Sequence, residues 1–102
     1  MRQPELPLTI SDPDGRLVEF SERSWQHIRT RRPELLADLR PILVAIEGPD
    51  HRAHDRVVGR ERFYLRHVTE KVRWMTVVVD FNMEPAVVVT AFIQRKNPVR
   101  ER

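Results

Sequence analysis

The pattern of apolar and polar positions divides the chain into an N-terminal hairpin, a helical segment and a C-terminal sheet. Two short β-prone runs, residues 6–10 and 16–20, flank the sequence Asp12-Pro13-Asp14-Gly15. Proline presets φ in such a turn, and glycine accepts a positive φ there. These features predict a β-hairpin over residues 6–20.

The next segment shows helical spacing of its apolar residues. Ser21 stands where an N-cap belongs, and Glu22 follows in the first turn, where a carboxylate complements the helix dipole. Trp25 and Ile28 are spaced i, i+3 and form a buried stripe. The sequence therefore predicts a first helix over roughly residues 22–31.

A second helical pattern begins at Pro33, a residue that favours the first turn of a helix, and ends at Gly48-Pro49. Its apolar positions are Leu35, Leu36, Leu39, Ile42, Leu43 and Ile46. Pro41 interrupts the pattern, because an internal proline removes one hydrogen bond and clashes with the preceding turn. We therefore expect a kink, or a break into two short helices, near Leu39-Arg40.

From residue 51 onward the pattern changes to period-two alternation and β-branched runs. These runs cover roughly residues 52–58, 62–68, 74–81 and 86–93. The connections between them are short enough for hairpin loops, so the runs predict an antiparallel meander.

Alternation also assigns the two faces of this sheet. Phe63 and Leu65 are expected on the core face, and Arg62, Tyr64 and Arg66 on the opposite face. In the last strand the core face is expected to carry Val87, Val89, Ala91 and Ile93, and the opposite face Val88, Thr90, Phe92 and Gln94. The predicted fold class is α+β, with the hairpin and two helices packed on one face of an antiparallel sheet of about four strands.

The length of 102 residues suits a single domain, because a chain of about 100 residues buries roughly two thirds of its unfolded surface. We predict one domain over residues 1–102, with a hairpin (6–20), helices (22–47), a sheet (52–95) and a frayed tail (97–102). Cysteine is absent, which excludes disulfides and thiolate chemistry. No apolar run reaches transmembrane length and the N-terminus lacks the apolar run of a signal peptide, so a cytoplasmic location is expected.

The net charge of +3 conceals an asymmetry between the two halves of the chain. Residues 1–50 carry seven Arg or Lys against nine Asp or Glu, whereas residues 51–102 carry eleven against six. Sixteen of the eighteen basic residues are Arg, whose guanidinium donates two parallel hydrogen bonds to a phosphate. A polyanion such as nucleic acid is a reasonable partner, although ordinary solvated surfaces also show a charge difference of this size.

The first candidate for chemistry is His27. In the first predicted helix it follows Arg23 by four residues and precedes Arg31 by four, so the three side chains form one stripe at the edge of the core. This histidine is either a proton acceptor flanked by cations or a boundary residue bonded to a backbone carbonyl, and the helix pattern alone favours the second.

The predicted sheet carries the other candidates. In Arg62-Phe63-Tyr64-Leu65-Arg66, two guanidinium groups flank an aromatic ring on one face, which suits single-stranded RNA, while a plain solvated face is the alternative. The Thr90 hydroxyl either donates to a phosphate oxygen or belongs to a good strand former. His51 and His54 are weak metal ligands, because a spacing of three in a strand puts them on opposite faces.

Six short segments together resemble the phage-type branch of the barnase/EndoU/colicin/RelE-like (BECR) nuclease fold. They are Trp25-Gln26-His27-Ile28, Arg32-Pro33-Glu34-Leu35, Ile46-Glu47-Gly48-Pro49-Asp50, Phe63-Tyr64, Trp74-Met75-Thr76-Val77-Val78-Val79 and Val88-Val89-Thr90-Ala91-Phe92. The resemblance covers about residues 6 to 98. Its order of parts, two helices followed by an antiparallel sheet, agrees with the order that the hydrophobic pattern predicts.

The resemblance implies RNA cleavage without a metal or cofactor, in which the ribose 2′-hydroxyl attacks the neighbouring phosphate. It implies catalytic roles for His27, Thr90, Tyr64 and a basic strand residue, which is Arg66 or Arg62. The residues expected to bind RNA are Arg23, Arg31, Arg32, Arg62 and Gln94. Relatives often have His-Pro-Glu where this chain has Arg32-Pro33-Glu34, and an arginine can bind phosphate but cannot act as a base near neutral pH.

The expected partner is RNA, and no membrane partner is expected. A toxin-like nuclease would also have a cognate antitoxin or immunity protein, and an exposed edge strand could support a homodimer. The competing hypothesis is a module of the same fold that binds RNA or a protein without cleaving anything. Such a binder would show an RNA affinity that falls steeply with salt, and no cleavage product.

Overall fold

Six strands form one mixed sheet in the part of the chain that the computed structural model describes, residues 5–33, 38–68 and 72–100, and two helices cover one face of it. The elements are β1 (Leu8–Ser11), β2 (Leu17–Phe20), α1 (Glu22–Arg31), α2 (Arg40–Glu47), β3 (His51–His54), β4 (Arg60–Val68), β5 (Val72–Asp80) and β6 (Ala86–Gln94). The strand order is β1-β2-β6-β5-β4-β3. The predicted α+β class is confirmed.

The N-terminal hairpin is part of the sheet, so the prediction of about four strands was wrong. β1 and β2 pair antiparallel, and β2 continues the sheet by pairing parallel to β6 through Val18↔Ala86 and Glu19↔Val87. An isolated two-stranded hairpin is marginally stable in water. Pairing with β6 provides hydrogen-bond partners for the hairpin backbone, and the Val18 and Phe20 side chains are buried in the core. The hairpin therefore extends the sheet instead of packing on its face.

The first helix agrees with its prediction. Ser21 has extended backbone angles, and its side chain accepts a hydrogen bond from the Ser24 amide at 3.1 Å, which caps α1 at Glu22. Trp25 and Ile28 are buried against the sheet. The Ser24 hydroxyl donates to the Val88 carbonyl of β6 at 2.7 Å, so α1 is tied directly to that strand.

The second helix begins where the break was predicted. α2 starts at Arg40 and has Pro41 in its first turn, where a proline costs no intrahelical hydrogen bond. Ile42, Ala45 and Ile46 are its buried residues. Most of the predicted first part of this helix, residues 34–37, lies outside the described residues.

The meander from β3 to β6 is antiparallel throughout, as predicted. Its first strand is shorter than expected, because β3 ends at His54 and the chain then turns. The Asp55 amide donates to the Arg60 carbonyl at 2.9 Å, and Gly59 takes a φ of +88° in this turn. At the far end, Pro98–Arg100 form a 3-10 turn within the tail that was expected to fray.

A β-bulge in β6 overturns part of the predicted face assignment. Val79 pairs with Val88 and Val78 pairs with Thr90, so Val89 is an extra residue in the strand. Ala86 and Val88 before the bulge belong to the core, as does Ala91 after it. Ala91 and Ile93 were assigned to the correct face. The assignments of Val87, Val88 and Val89 were wrong, because one inserted residue reverses the alternation.

The core lies between the helices and the inner face of the sheet. Its fully buried large side chains include Phe20, Ile28, Leu39, Ile42, Ile46, Phe63, Met75, Val77 and Val79. Phe63 faces this core, as the alternation predicts, and Leu65 packs against it. Within the described residues, no helix is long and apolar enough to cross a membrane.

Arg16 clamps the hairpin turn to β4. Its terminal nitrogens donate to the two carboxylate oxygens of Glu61 at 2.8 and 2.9 Å, and its Nε donates to Asp12 at 2.8 Å. The guanidinium carbon lies 3.7 Å from the centre of the Phe81 ring. The hydrogen bonds from Arg16 hold the pKa of Glu61 below its usual range, against the opposing effect of burial.

We predict that this clamp makes the fold sensitive to acid. The pKa of Glu61 is lower in the folded chain than in the unfolded chain, where it is near 4.5, so the ionised carboxylate stabilises the fold at pH values above 4.5. This stabilisation is lost as the pH falls through the pKa of the folded chain. Glu61→Gln should cost roughly 1–2 kcal/mol of unfolding free energy at pH 7 and flatten the dependence below pH 4.5. Urea unfolding between pH 7 and pH 3 measures both effects.

The matched control is Glu47→Gln, which changes an exposed carboxylate at the end of α2. It should leave the slope of stability against pH as it is in the wild-type chain. Equal slopes for the wild-type chain and Glu61→Gln would contradict the clamp.

Candidate active site

The face of β3 to β6 that is turned away from the helices, called here the outer face, carries most of the predicted site residues. The strand register arranges its side chains in three rows. They are Ala53, Arg62, Val78 and Thr90 in the first row, His51, Tyr64, Thr76 and Phe92 in the second, and Arg66, Trp74 and Gln94 in the third. Arg62, Tyr64, Arg66, Thr90, Phe92 and Gln94 thus share one face.

The rows separate the two candidate arginines. Arg62 shares the row of Thr90 and lies two strands away, a distance of about 10 Å between backbones. Arg66 lies four residues farther along β4, or about 13 Å along the strand direction. Its side chain is exposed, and its amide donates to Asp50 Oδ2 at 2.7 Å. Of the two arginines, Arg62 is therefore the one placed beside Thr90.

The outer face is a packed surface and not a fully open one. Tyr64 is 6% exposed and Thr76 is completely buried. The His51 ring stacks on Tyr64 with 5.6 Å between ring centres. The Thr76 hydroxyl donates to Gln94 Oε1 at 3.0 Å, and Gln94 Nε2 donates to the Lys96 carbonyl at 2.7 Å. These contacts hold an aromatic and amide surface in place between the two candidate arginines.

Phe92 lies at the centre of a cationic cluster. The guanidinium carbon of Arg62 is 5.8 Å from its ring centre, and that of Arg32, just after α1, is 5.7 Å away. Arg62 Nε also donates to Asp55 at 2.7 Å. Burial lowers the pKa of Arg62, but hydrogen bonds to Asp55 and Tyr64 raise it by more, so the net shift is upward. Arg62 is therefore a fixed positive charge.

Two contacts align α1 with the part of β6 that carries Thr90. Ser24 bonds the Val88 carbonyl, and eight residues later Arg32 reaches Phe92. Three helical residues past Ser24 rise about 4.5 Å, whereas Val88 and Thr90 pair with consecutive residues of β5, so the bulge between them reduces that step to about one strand residue, roughly 3.3 Å. His27 shares the side of α1 that carries Ser24, because the two are spaced i, i+3. Along the two elements, His27 falls between Ser24 and Arg32, and Thr90 falls between Val88 and Phe92.

The stripe predicted on α1 is solvent accessible. His27, Arg23 and Arg31 are all exposed, and one helical turn separates each from the next. The alternative of a boundary histidine predicted a bond to a backbone carbonyl. Among the described residues, the α1 side chains found in hydrogen bonds are those of Glu22, Ser24, Gln26 and Thr30, and they do not include His27.

His51 and His54 lie on opposite faces of β3, as their spacing predicts. His51 packs on Tyr64 of the outer face, whereas His54 pairs with Glu61 across the strands and lies near Arg52 on the other face. In residues 5–33, 38–68 and 72–100, no group of three or more His, Asp or Glu side chains is arranged to hold a metal ion.

Sequence reasoning missed three contributors to this site. Phe92 was assigned to the correct face but not to the site, and Ser24 and Asp55 were not singled out. For Asp55 the sequence did contain a signal. Gly59 indicates a turn, and a turn places a residue that precedes it, such as Asp55, beside a residue that follows it, such as Arg62. Nothing local marks Ser24, because its partner Val88 lies 64 residues away.

The outer face brings together three kinds of group that phosphate chemistry uses: the guanidinium groups of Arg62 and Arg32, the hydroxyl groups of Tyr64 and Thr90, and the Phe92 ring. Comparison with protein-family models, with curated proteins and with solved structures finds no match for this chain. The fold and this surface therefore define it as an α+β domain with an arginine and aromatic sheet face flanked by a histidine-bearing helix.

Proposed function

We propose that this chain is a metal-independent endoribonuclease of the BECR type. It cleaves RNA through attack of a ribose 2′-hydroxyl on the adjacent phosphate. The observation that carries the proposal is the alignment of α1 with β6, because the Ser24 and Arg32 contacts bracket His27 on the helix and Thr90 on the strand. In this proposal the His27 imidazole and the Thr90 hydroxyl act on one phosphate, and the guanidinium groups of Arg62 and Arg32 lie beside it.

Each residue has a distinct chemical role. His27 accepts the proton of the 2′-hydroxyl as the O2′–P bond forms, since the unprotonated nitrogen of a neutral imidazole is a proton acceptor. Tyr64 donates a proton to the leaving 5′-oxygen as the P–O5′ bond breaks, since a phenol is a stronger acid than an aliphatic alcohol. The products are a 2′,3′-cyclic phosphate and a 5′-hydroxyl end.

The growing phosphate charge is stabilised by fixed donors. Arg62 and Arg32 supply guanidinium groups, and Thr90 donates a hydrogen bond to a phosphate oxygen. Preorganised charge of this kind is often the largest single contribution to catalysis. Arg32 can bind phosphate but cannot act as a base near neutral pH, so His27 is the residue that accepts the proton.

The remaining predicted residues lie along a path for the RNA strand. Arg66 and Gln94 share the row beyond Tyr64 and Phe92, and Arg23 and Arg31 line α1. Phe92 offers a ring on which a base can stack, and such stacking does not depend on base identity. These residues suit single-stranded RNA, whose bases are free to stack and whose phosphates are accessible.

The test is incubation of the purified chain with a mixed RNA pool in EDTA, followed by analysis of the ends. We expect cleavage that yields 2′,3′-cyclic phosphate and 5′-hydroxyl ends. Salt-dependent RNA binding without any product would contradict the proposal and favour the non-catalytic binding module. Cleavage that EDTA abolishes would contradict the metal-independent mechanism.

A further inference from the structure

Asp55 is a nearly buried carboxylate in direct contact with Arg62. It follows β3 in the turn to β4, and its side chain is only 8% exposed. Its Oδ1 accepts from Arg62 Nε at 2.7 Å, and its Oδ2 accepts from the Val57 amide at 3.1 Å. Its own amide donates to the Arg60 carbonyl at 2.9 Å. Backbone bonds on both sides of the turn therefore fix the position of this carboxylate.

The contact holds the inner nitrogen of the guanidinium. Arginine has one N–H at Nε and four more on its terminal nitrogens, in a rigid planar fork. A bond at Nε therefore limits the orientation of the whole fork. The guanidinium carbon lies 5.8 Å from the Phe92 ring, so the group extends from the β3–β4 turn toward β6 and the row of Thr90.

We propose that Asp55 is a positioning residue of the outer face: by holding Arg62 Nε, it aims the terminal nitrogens of Arg62 at the phosphate that reacts. This inference rests on the proposed ribonuclease function. Asp55 does not contact the RNA and acts through Arg62 alone. Displacing such a contact by about 1 Å can lower a catalytic rate by as much as a hundredfold, whereas ground-state binding depends on many phosphate contacts.

Asp55→Asn separates this role from a structural one. The asparagine side-chain oxygen can still accept from the Val57 amide, so the turn is kept, but its NH₂ group cannot accept from Arg62 Nε. We expect kcat to fall about tenfold while KM stays within about twofold of the wild-type value. The unfolding midpoint of the variant, measured in parallel, should fall because Arg62 loses a nearly buried carboxylate partner, but the chain should stay folded under the conditions of the cleavage assay.

A double-variant comparison tests whether Asp55 acts through Arg62. If it does, Asp55→Asn/Arg62→Ala cleaves RNA no more slowly than Arg62→Ala alone, because the aimed group is already missing. A general structural role would multiply the two losses. Arg62→Lys leaves Asp55 intact and should be as slow as Arg62→Ala, because the single nitrogen of lysine is taken by Asp55.

The matched control is Asp14→Asn. It makes the same chemical change and breaks an ion pair of 2.8 Å with Arg52, which lies opposite Phe63 of the inner face. This variant should retain the wild-type kcat. A wild-type kcat in Asp55→Asn together with a slow Arg62→Ala overturns this inference alone, as do multiplied losses in the double variant. A wild-type chain that cleaves no RNA overturns the proposed function and this inference with it.

Discussion

The His27→Ala variant should cleave RNA roughly 10²–10⁴-fold more slowly than the wild-type chain, the usual loss when a general acid or base is removed. His27 is exposed on α1, so its removal leaves the buried stripe of Trp25 and Ile28 in place. The expected defect is therefore in kcat and not in folding. Single-turnover cleavage of a defined single-stranded RNA measures it, and the unfolding midpoint should change little.

His54→Ala is the matched control for this experiment. It removes the same exposed ring, but from the face of β3 turned away from the candidate site. It should cleave RNA at the wild-type rate. Equal rates for His27→Ala and the wild-type chain would remove His27 from the mechanism, and equal losses in both histidine variants would point to a contribution outside the site.

Phe63→Ala should cost about 3–5 kcal/mol of unfolding free energy, the usual cost of truncating a buried phenylalanine. Phe63 is fully buried, and its ring centre lies 6.2 Å from that of Phe81. Domains of this size have a total stability of only about 5–15 kcal/mol, so the variant should unfold at a much lower urea concentration. Urea unfolding followed by tryptophan fluorescence measures the loss.

Phe92→Ala makes the same truncation on the outer face. Phe92 is half-buried, so we expect the variant to lose less than half as much stability as Phe63→Ala. Its larger effect should be on the binding of RNA, because a base loses the ring on which it stacks and Arg32 and Arg62 lose the surface they lie against. A greater stability loss in Phe92→Ala than in Phe63→Ala would contradict the assignment of inner and outer faces.

Much of the candidate site could be predicted because its residues obey local rules. Period-two alternation put Arg62, Tyr64 and Arg66 on one face of β4, and helical spacing put Arg23, His27 and Arg31 on one stripe. What alternation along one strand cannot supply is the register between strands. That register puts Arg62 in the row of Thr90 and Arg66 two rows away. The choice between the two arginines therefore required the assembled sheet.

The bulge at Val89 shows why alternation failed within a single strand. Val87, Val88 and Val89 are identical residues, so the sequence does not show at which of them β6 has one residue more than β5. Thr90 and Phe92 were nevertheless assigned correctly, because the alternation is unbroken after the bulge and they alternate with Ala91 and Ile93, which lie on the core face. Had the bulge occurred beyond Thr90, the predicted hydroxyl would face the core.

The sequence by itself determined the elements whose causes lie within a few residues: the hairpin turn at Asp12 to Gly15, the Ser21 cap, the start of α2 near Pro41 and the antiparallel meander. Tertiary structure alone decided the parallel pairing of Val18 with Ala86, the bond from Ser24 to Val88 and the bond from Asp55 to Arg62. Turn, cap and proline preferences act over one to four residues, so they can be read along the chain. Pairings such as Ser24 with Val88 depend on which surfaces meet when the core closes, and periodicity along the chain does not encode that meeting.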